Sequence, residues 1–518
     1  MRYFFLLCCL VHLSLSLSGQ PLKRPNILFI MSDDHANNAV SCYGSPLIQT
    51  PNIDRIAREG IRFDESFVTN SICAPSRAVM LTGKYSHLNG LRDNRDAFDG
   101  SQVTFPKLLQ QAGYFTAMIG KWHLKTHPTG FDYWNVLIDQ GQYYNPWLIE
   151  NGDTSVVEGY VTDIITDLAI QTLEKKDPNQ PFCMLVHHKA PHRNWQPNAK
   201  HLALFENEDL PLPASFYDDY AGRSDAARQQ DMRIDNMFLS YDLKLLPGDF
   251  PNETGTGGQG APWPSAENWL LNDLKRMTPE QRAAWDAHYD KVREDFRRNP
   301  PQGAALSEWK YQRYLKDYLR CIASVDENIG RLLDYLDANG LTDNTLVVYT
   351  SDQGFYLGEH GWYDKRFMYE PSLRMPLVMR LPGVIPPGTT SRQMALNLDF
   401  APTFLDLAGL NTPPAMQGQS LRPLMEAKHA KNWRKEMYYH YYEYPHGAHL
   451  VKKHYGIRNE RYKLIHFYDD IDAWEFYDLY TDPDEMNNRI DDPASQARIR
   501  KMKTALEKLR AQYQDDSM

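Results

Sequence analysis

The sequence predicts an α/β protein with a mostly parallel central sheet and a smaller antiparallel sheet near its C-terminus. Short apolar runs typical of buried strands alternate with stretches of helical periodicity up to about residue 408. Aromatic, β-prone runs separated by turn residues follow that point. A hydrophobic fraction of 42% in 518 residues supplies enough apolar side chains for a sizeable core.

The alternation of strands and helices is visible along the first 408 residues. Five short runs have the length and composition of buried strands of a parallel sheet, at residues 26–31, 115–119, 182–186, 345–349 and 377–380. Helical patterns lie between them, at residues 52–59, 103–112, 159–175 and 315–339. Strands that alternate with helices favour a doubly wound domain whose sheet is largely parallel.

Two stretches depart from this rhythm. Residues 196–303 are rich in Pro, Asp and Asn, with one helical piece at 279–298, and we interpret them as an insertion that packs on the main domain. After residue 408, strands are predicted at 436–444, 454–458 and 462–468, followed by a charged helix at about 494–512. The predicted units are therefore a leader at 1–19, a main domain at 20–408 and a C-terminal α+β unit at 409–518.

The first 19 residues have the pattern of a secretory signal. Arg2 precedes a nine-residue apolar run that is too short to span a bilayer. Ser16 and Ser18 then supply small residues for cleavage. No later stretch of the sequence reaches transmembrane length, so we expect no membrane span. The expected location is the periplasm of a bacterium, or the secretory or lysosomal route of a eukaryote.

The net charge and the cysteine content exclude several kinds of partner and site. With 56 basic and 66 acidic residues the net charge is −10, so no nucleic-acid partner is expected, and any bound anion must be held by a local cluster of cations. Of six cysteines, two lie in the leader. The remaining four, at positions 42, 73, 183 and 321, are too few for a disulfide framework and lack the CxxC spacing of zinc sites.

Acidic pairs follow two of the predicted strands. Asp33 and Asp34 come after the first strand, and Asp352 and Gln353 come after the fourth. Because ligands bind at the carboxyl ends of strands in open parallel sheets, we expect these side chains to meet at one edge. An oxygen-rich set of this kind favours Ca²⁺ or Mg²⁺ over zinc. The nearby cations Arg77, Lys121 and Lys365 would bind an anion that also touches the metal.

A sequence motif around Cys73 identifies a family resemblance. Residues 71–77 read Ser-Ile-Cys-Ala-Pro-Ser-Arg, and Thr82-Gly83 follow. Cys-x-Pro-Ser-Arg with Thr-Gly five residues after the arginine resembles the signature of the type I, formylglycine-dependent sulfatases. The flanking segments 24–35, 50–63, 120–123, 190–192, 351–361 and 477–485 are also similar to that family. The segments HHKAPHRNW and HYYEYP are most similar to its N-acetylglucosamine-6-sulfatases, which act on glycosaminoglycans.

The resemblance implies a fold and a reaction. The fold is an alkaline-phosphatase-like sandwich around a mixed, mostly parallel sheet. The reaction removes sulfate from a carbohydrate, specifically the 6-O-sulfate of N-acetylglucosamine. A maturation enzyme would oxidise Cys73 to formylglycine, which hydrates to a geminal diol. One diol oxygen attacks sulfur, and the second hydroxyl then loses a proton to rebuild the aldehyde and expel sulfate.

The resemblance also assigns roles to individual residues. The implied ligands of one Ca²⁺ ion are Asp33, Asp34, modified Cys73, Asp352 and Gln353, where many relatives have Asn at the last position. Arg77 would steady the diol, and Lys121 and Lys365 would bind sulfate oxygens. His123 would assist proton removal, and His192 would protonate the leaving sugar oxygen, with His187 and His188 as rival candidates. The expected sugar-binding residues are Asp364, Arg366, Trp195 and His446.

Two other functions stay open at this point. A phosphatase or phosphodiesterase on the related metal-dependent fold needs a similar cation cluster, but such enzymes typically use Ser or Thr and two metals. A sulfated-glycan binding protein with a silent site is the alternative that is not an enzyme. The complete set of Cys73, Arg77, Lys121, His123 and Lys365 argues against it.

Overall fold

The computed structural model describes residues 24–251, 266–428 and 430–516. The predicted leader at 1–19 lies outside these residues. The first half of the chain contributes eight strands, β1 to β8: Asn26–Ser32, Ile61–Phe63, Ser66–Phe67, Phe115–Gly120, Tyr133–Leu137, Trp147–Glu150, Asp153–Val156 and Phe182–His187. The second half contributes β9 to β18: Thr345–Ser351, Tyr356–Leu357, Tyr363–Asp364, Leu377–Arg380, Thr389–Ser391, Ala395–Leu396, Glu436–Tyr441, His454–Asn459, Tyr462–Phe467 and Ala473–Asp478.

Thirteen α-helices accompany these strands in the described part of the chain. In chain order, α1 to α7 are Pro51–Arg58, Cys73–Thr82, Ser86–Asn89, Phe105–Gln111, Val161–Lys175, Asp225–Gln229 and Ala266–Lys275. Helices α8 to α13 are Pro279–Arg298, Ala304–Ala338, Glu370–Leu373, Phe400–Leu407, Arg422–Met425 and Gln496–Gln512. The helix α8 matches the predicted segment 279–298, whereas α9 begins eleven residues before the predicted 315.

Ten strands form the central sheet in the order β13-β2-β12-β9-β1-β8-β4-β5-β6-β7. The five strands from β9 to β5 are mutually parallel. The mixed, mostly parallel sheet predicted from the sequence is therefore confirmed. One assignment was wrong, because β12 runs antiparallel to β9. A four-residue apolar run shows that a strand is buried but carries no information about its direction.

Both faces of the central sheet are covered by helices. Leu28 and Ile30 of β1 join a core cluster that includes residues of α1, α5 and α9. Phe29 and Met31, which point the other way, join a second cluster with residues of α2, α4 and α11. A strand buried on both faces needs apolar side chains at every position, which explains why β1 lacks a polar–apolar alternation.

The C-terminal strands form a separate four-stranded antiparallel sheet, in the order β15-β16-β17-β18. This sheet was predicted, although its last strand, β18, was not. It packs with α13 in a third core cluster that also contains residues of α10 and β10. The division of the chain at residues 19 and 408 stays a prediction.

A buried lysine fastens the C-terminal sheet to the main part of the molecule. The Nζ atom of Lys463, on β17, lies 2.7 Å from Glu485 Oε1 and 3.0 Å from Glu370 Oε1. The Lys463 side chain is fully buried, and Glu370 belongs to α10. Because Glu485 and Lys463 are both removed from water, each charge depends on the other.

None of the helices described by the structure is long and apolar enough to cross a bilayer.

Replacing Lys463 by Met should destabilise the fold strongly. The variant leaves Glu485 buried without its cation, which costs about 3–5 kcal/mol for a buried ion pair. Denaturant unfolding followed by circular dichroism measures the loss. Lys453→Met is the matched control, because the Lys453–Asp469 pair is half-exposed at 2.7 Å and should change stability by less than about 1 kcal/mol. Equal losses in the two variants would contradict the role given to Lys463.

Candidate active site

The two acidic pairs lie side by side at the carboxyl ends of adjacent strands. Strands β1 and β9 are parallel neighbours, with Ser32 opposite Ser351, so the residues that follow them leave the sheet together. The backbone N–H of Asp34 donates to Asp352 Oδ1 at 3.1 Å. One carboxylate oxygen from each of Asp33, Asp34 and Asp352 lies within 4.8 Å of the other two. The structure therefore brings together the carboxylates that the sequence placed at one edge.

Cys73 is the first residue of α2 and points into this acidic cluster. Its Sγ lies 4.0 Å from Asp34 Oδ1, and the side chain is buried. The start of the helix is fastened to the end of β9, since the Ser76 hydroxyl donates to the Asp352 carbonyl at 2.5 Å. Burial raises the pKa of the Cys73 thiol, so an unmodified Cys73 is a poor nucleophile at neutral pH.

Each of the three carboxylates is paired with a buried cation. Arg77 donates to Asp352 Oδ2 from Nε and Nη2, at 3.1 and 2.9 Å. Lys121 Nζ donates to Asp33 Oδ2, and Lys365 Nζ lies 2.6 Å from both carboxylate oxygens of Asp34. The three positive and three negative charges balance. A bound dication would leave an excess of positive charge, which would attract an anionic ester.

The residue before Lys121 must be glycine. Gly120 ends β4 with φ at +95°, a conformation that side chains rarely adopt, and a Cβ there would overlap the carbonyl oxygen of His187 on β8. The Lys121 N–H donates to that same carbonyl at 2.8 Å. This close approach of β4 to β8 places Lys121 beside Asp33.

The acidic cluster fits a hard divalent cation. Asp33 Oδ1 and Gln353 Oε1 are buried, and neither has a hydrogen-bond partner among the described residues. Burial and the neighbouring carboxylates raise the pKa of Asp34 to about 7 and that of Asp352 to about 6. Three carboxylates and an amide oxygen form the kind of site that Ca²⁺ prefers, and a bound cation would relieve their mutual repulsion.

Five of the predicted site residues have a left-handed backbone. Their φ angles are 68° at Asp34, 55° at His123, 51° at Trp195, 74° at Asp364 and 95° at Arg366. Non-glycine residues rarely adopt this conformation, and it tends to concentrate at functional sites, where the surrounding structure compensates for the strain.

His192 and His123 lie at the edge of the cluster. His192 Nε2 is 3.7 Å from Asp34 Oδ2, and its Nδ1 is 2.7 Å from the Arg193 carbonyl oxygen.

His123 Nε2 is 3.4 Å from Asp139 Oδ1 and 3.0 Å from Gln140 Nε2. Gln140 Oε1 in turn accepts from Lys121 Nζ at 2.5 Å. Gln140 was not predicted, because nothing in its local sequence marks it.

The rival histidines occupy different environments. His187 Nδ1 lies 3.4 Å from Arg77 Nη1, the cation that pairs with Asp352. His188 is buried without a hydrogen bond from either ring nitrogen to the described residues, and burial lowers its pKa to about 4. Of these three histidines, His192 has a ring nitrogen within 4 Å of a carboxylate of the acidic cluster, with Nε2 at 3.7 Å from Asp34 Oδ2.

The expected sugar-binding residues do not form one group. Asp364 and Arg366 flank Lys365, with Arg366 Nε 3.3 Å from Asp364 Oδ1. His446 is exposed, and its role stays a prediction. Trp195 is fully buried, with its ring centroid 4.7 Å from that of Tyr314. The structure thus gives Trp195 no surface on which a sugar could stack, and packing explains its aromatic character.

Two residues that the sequence did not single out complete the region around Asp364 and Arg366. His449 Nε2 lies 2.8 Å from Asp364 Oδ2, and Glu443 pairs with Arg366 Nη1. Both are buried. Glu443 belongs to the HYYEYP segment, which was noted only as a whole. Asp364 and His449 are 85 positions apart in the sequence, so the local sequence of one does not predict contact with the other.

Comparisons with known proteins identify two family models. The model "Sulfatase" matches residues 25–410, and the model "N-sulphoglucosamine sulphohydrolase, C-terminal" matches residues 358–512. The chain is 52% identical to the N-acetylglucosamine-6-O-sulfatase of Bacteroides thetaiotaomicron, covering 99% of this chain and 91% of that protein. It is 27% identical to the human N-acetylglucosamine-6-sulfatase, covering 81% of this chain and 67% of that protein.

Solved structures agree with these matches. A structure described as a complex with its substrate D-glucosamine-2-N,6-O-disulfate superposes with a TM-score of 0.91 at 52% identity, covering 96% of this chain and 99% of that one. A phosphonate monoester hydrolase from Silicibacter pomeroyi superposes with a TM-score of 0.67 at 20% identity, covering 95% and 96% of the two chains. The second likeness shows the fold alone.

Calcium should stabilise the protein through the acidic cluster. At a concentration of one hundred times Kd, a ligand that binds only the folded state adds about 2.7 kcal/mol. Differential scanning fluorimetry with calcium and with a chelator should therefore show a higher melting temperature with the ion.

The variant Asp352→Asn should lose this calcium-dependent shift. Asp326→Asn should keep it, because Asp326 is a buried carboxylate that instead caps α1, accepting from Ile53 N at 2.9 Å. A calcium shift that survives Asp352→Asn would place the ion elsewhere.

Proposed function

The chain belongs to the sulfatase family, and from this membership we propose that it hydrolyses the 6-O-sulfate ester of N-acetylglucosamine in glycosaminoglycan fragments. The 52% identity to an N-acetylglucosamine-6-O-sulfatase over 99% of the chain supports this substrate. The observation that carries the proposal is the position of Cys73, whose Sγ lies 4.0 Å from Asp34 inside a cluster of buried carboxylates and cations.

Cys73 is proposed to act only after a maturation enzyme has converted it to formylglycine. The raised pKa of the buried thiol argues against direct attack by sulfur. The hydrated aldehyde supplies an oxygen nucleophile and a second hydroxyl whose deprotonation releases sulfate. Arg77, one turn further along α2 and fixed to Asp352, would hold that group in place.

Asp33, Asp34, Asp352 and Gln353 are proposed to hold one Ca²⁺ ion. When bound, the ion would counter the negative charge of the sulfuryl oxygens. Lys121 and Lys365 would each share their ammonium group between a carboxylate and a sulfate oxygen. Because both lysines are buried, these interactions would be stronger than they are in water.

His192 is proposed to donate the proton that the leaving sugar oxygen needs. Its Nδ1–H donates to the Arg193 carbonyl, so Nε2 faces the acidic cluster. Burial and nearby Lys121 lower the pKa of His192, and the negative charge of a bound sulfate would act in the opposite direction. His123, near Lys121 through Gln140, would accept a proton during release of sulfate.

Asp364 and Arg366 are proposed to bind sugar hydroxyl groups next to the sulfate. Both lie beside Lys365, and both are held from a distant part of the chain by His449 and Glu443. Side chains fixed in this way lose little freedom when they bind, which favours specificity. Export through a leader at residues 1–19 stays part of the same proposal.

Release of sulfate from a panel of mono-sulfated saccharides tests the substrate. N-acetylglucosamine 6-sulfate should be hydrolysed fastest, and a calcium chelator should suppress the reaction. The 6-phosphate of the same sugar should react far more slowly, because the site provides ligands for one ion rather than two. Faster hydrolysis of the phosphate would favour the phosphatase alternative. Binding of the sulfated sugar by matured protein without release would favour the silent-binder alternative.

The modification of Cys73 has its own test. Protein produced with a maturation enzyme should show a Cys73 peptide about 18 Da lighter than the thiol form, as the covalent chemistry requires. Cys73→Ala should abolish sulfate release, while Cys183→Ala, a change at a buried cysteine on β8, should retain activity when folded. Fully active enzyme carrying only the thiol would contradict the proposal.

A further inference from the structure

The ring of His192 is oriented by a backbone carbonyl. Nδ1 lies 2.7 Å from the carbonyl oxygen of Arg193, which can only accept, so Nδ1 carries a hydrogen. Nε2 is then the nitrogen that faces Asp34, at 3.7 Å from Oδ2. The position of the Arg193 carbonyl therefore decides both the tautomer of His192 and the direction of Nε2.

The side chain of Arg193 is held by a bidentate ion pair. Its Nε and Nη2 donate to Asp242 Oδ1 and Oδ2, each at 2.7 Å. The guanidinium carbon lies 5.6, 5.8 and 5.5 Å from the ring centroids of Phe238, Tyr241 and Tyr363. The Asp242 side chain is fully buried. Charge, planarity and aromatic contacts thus fix the guanidinium in one place.

The next residue is held by the same segment of the chain. Lys244 Nζ donates to the Asn194 carbonyl and to the Asp242 carbonyl, both at 2.6 Å. The Phe238 N–H donates to Asp242 Oδ2 at 2.9 Å. Residues 238–244, the clamp segment, therefore hold the loop on both sides of the Arg193–Asn194 peptide. This segment lies in the stretch at 196–303 that the sequence marked as an insertion.

We infer that Asp242 is a positioning residue for the general acid, acting through Arg193 on His192. In the step concerned, the bond between sulfur and the sugar oxygen breaks and its electron pair stays on that oxygen. The oxygen takes the proton that the imidazolium form of His192 carries on Nε2, which leaves neutral His192 with its hydrogen on Nδ1. Asp242 touches neither the substrate nor the proton, and it determines where the proton donor stands. The inference rests on the proposed function and deepens the role given there to His192.

A positioning role of this kind predicts dependence on the leaving group. A sugar alkoxide leaves poorly without a proton, whereas 4-nitrophenolate leaves without one. Loss of the clamp should therefore slow hydrolysis of N-acetylglucosamine 6-sulfate and leave hydrolysis of 4-nitrophenyl sulfate nearly unchanged. General acid–base catalysis contributes about 10²–10⁴-fold, and misplacing the acid should cost part of that.

Asp242→Asn is the main variant, since it keeps the shape of the side chain and removes its charge. In matured, calcium-loaded enzyme, this variant should lower kcat for N-acetylglucosamine 6-sulfate about tenfold or more. It should lower kcat for 4-nitrophenyl sulfate by less than about twofold. Asp399→Asn is the matched control. Asp399 is also buried and also paired with an arginine through both oxygens, with Arg434 Nη2 at 2.7 Å from Oδ1. The Asp399→Asn variant should show no such difference in kcat between the two substrates.

A double-mutant cycle separates positioning from general destabilisation. If Asp242 acts only through His192, adding Asp242→Asn to His192→Asn should cause no further loss on the sugar sulfate. Equal losses on both substrates, or additive losses in the cycle, would overturn the inference. Should Asp242→Asn fail to fold, Arg193→Gln enters the same comparison with the same expectations. Wild-type enzyme that releases sulfate from neither substrate would overturn the proposed function, and the inference with it.

Discussion

Three buried carboxylates and three buried cations meet at one edge of the central sheet, and the rest of the site is arranged around them. Charges of this kind are costly to remove from water unless each is paired and hydrogen-bonded. Here Asp33, Asp34 and Asp352 pair with Lys121, Lys365 and Arg77 respectively, and Arg77 also lies near Asp33. A dication and a singly charged sulfate ester could enter this balanced site together, since the ester would offset part of the charge of the ion.

The fold supplies this arrangement through strand register and helix placement. Parallel pairing of β1 with β9 puts the two acidic pairs side by side, and the close approach of β4 to β8 at Gly120 brings in Lys121. The first turns of α2 carry Cys73 and Arg77 to the same point. The clamp segment then reaches across from the insertion to the loop of His192. The stretch predicted as an insertion is therefore joined to the loop of His192 by an ion pair as well as by apolar packing.

Much of the fold was predictable because burial on both faces leaves a clear apolar signal. The strands β1, β4, β8 and β9 were predicted to within two residues of their observed ends. The direction of β12 was not predictable, because parallel and antiparallel strands differ in pairing rather than in composition. The strands β5 to β7, at one end of the sheet, were missed, and the edge strand β7 is exposed throughout, so no apolar pattern marks it.

The site was predictable where residues follow a strand and unpredictable where partners come from afar. Asp33, Asp34, Asp352 and Lys121 follow strand ends, where the topology of a parallel sheet makes them converge. Glu443, His449 and Asp242 reach the site from segments without such a signal. Trp195 was predicted as a sugar-binding residue from its place in a loop, but an aromatic residue there gives the same signal whether it binds a sugar or fills the core.

The most direct test is a crystal structure of the matured enzyme with calcium and N-acetylglucosamine 6-sulfate, using a catalytically slow variant such as His192→Asn. Our account predicts one ion bound by Asp33, Asp34, Asp352 and Gln353, with the sulfate group contacting Lys121 and Lys365 beside residue 73. An ion bound elsewhere, or a sulfate group held away from residue 73, would contradict it.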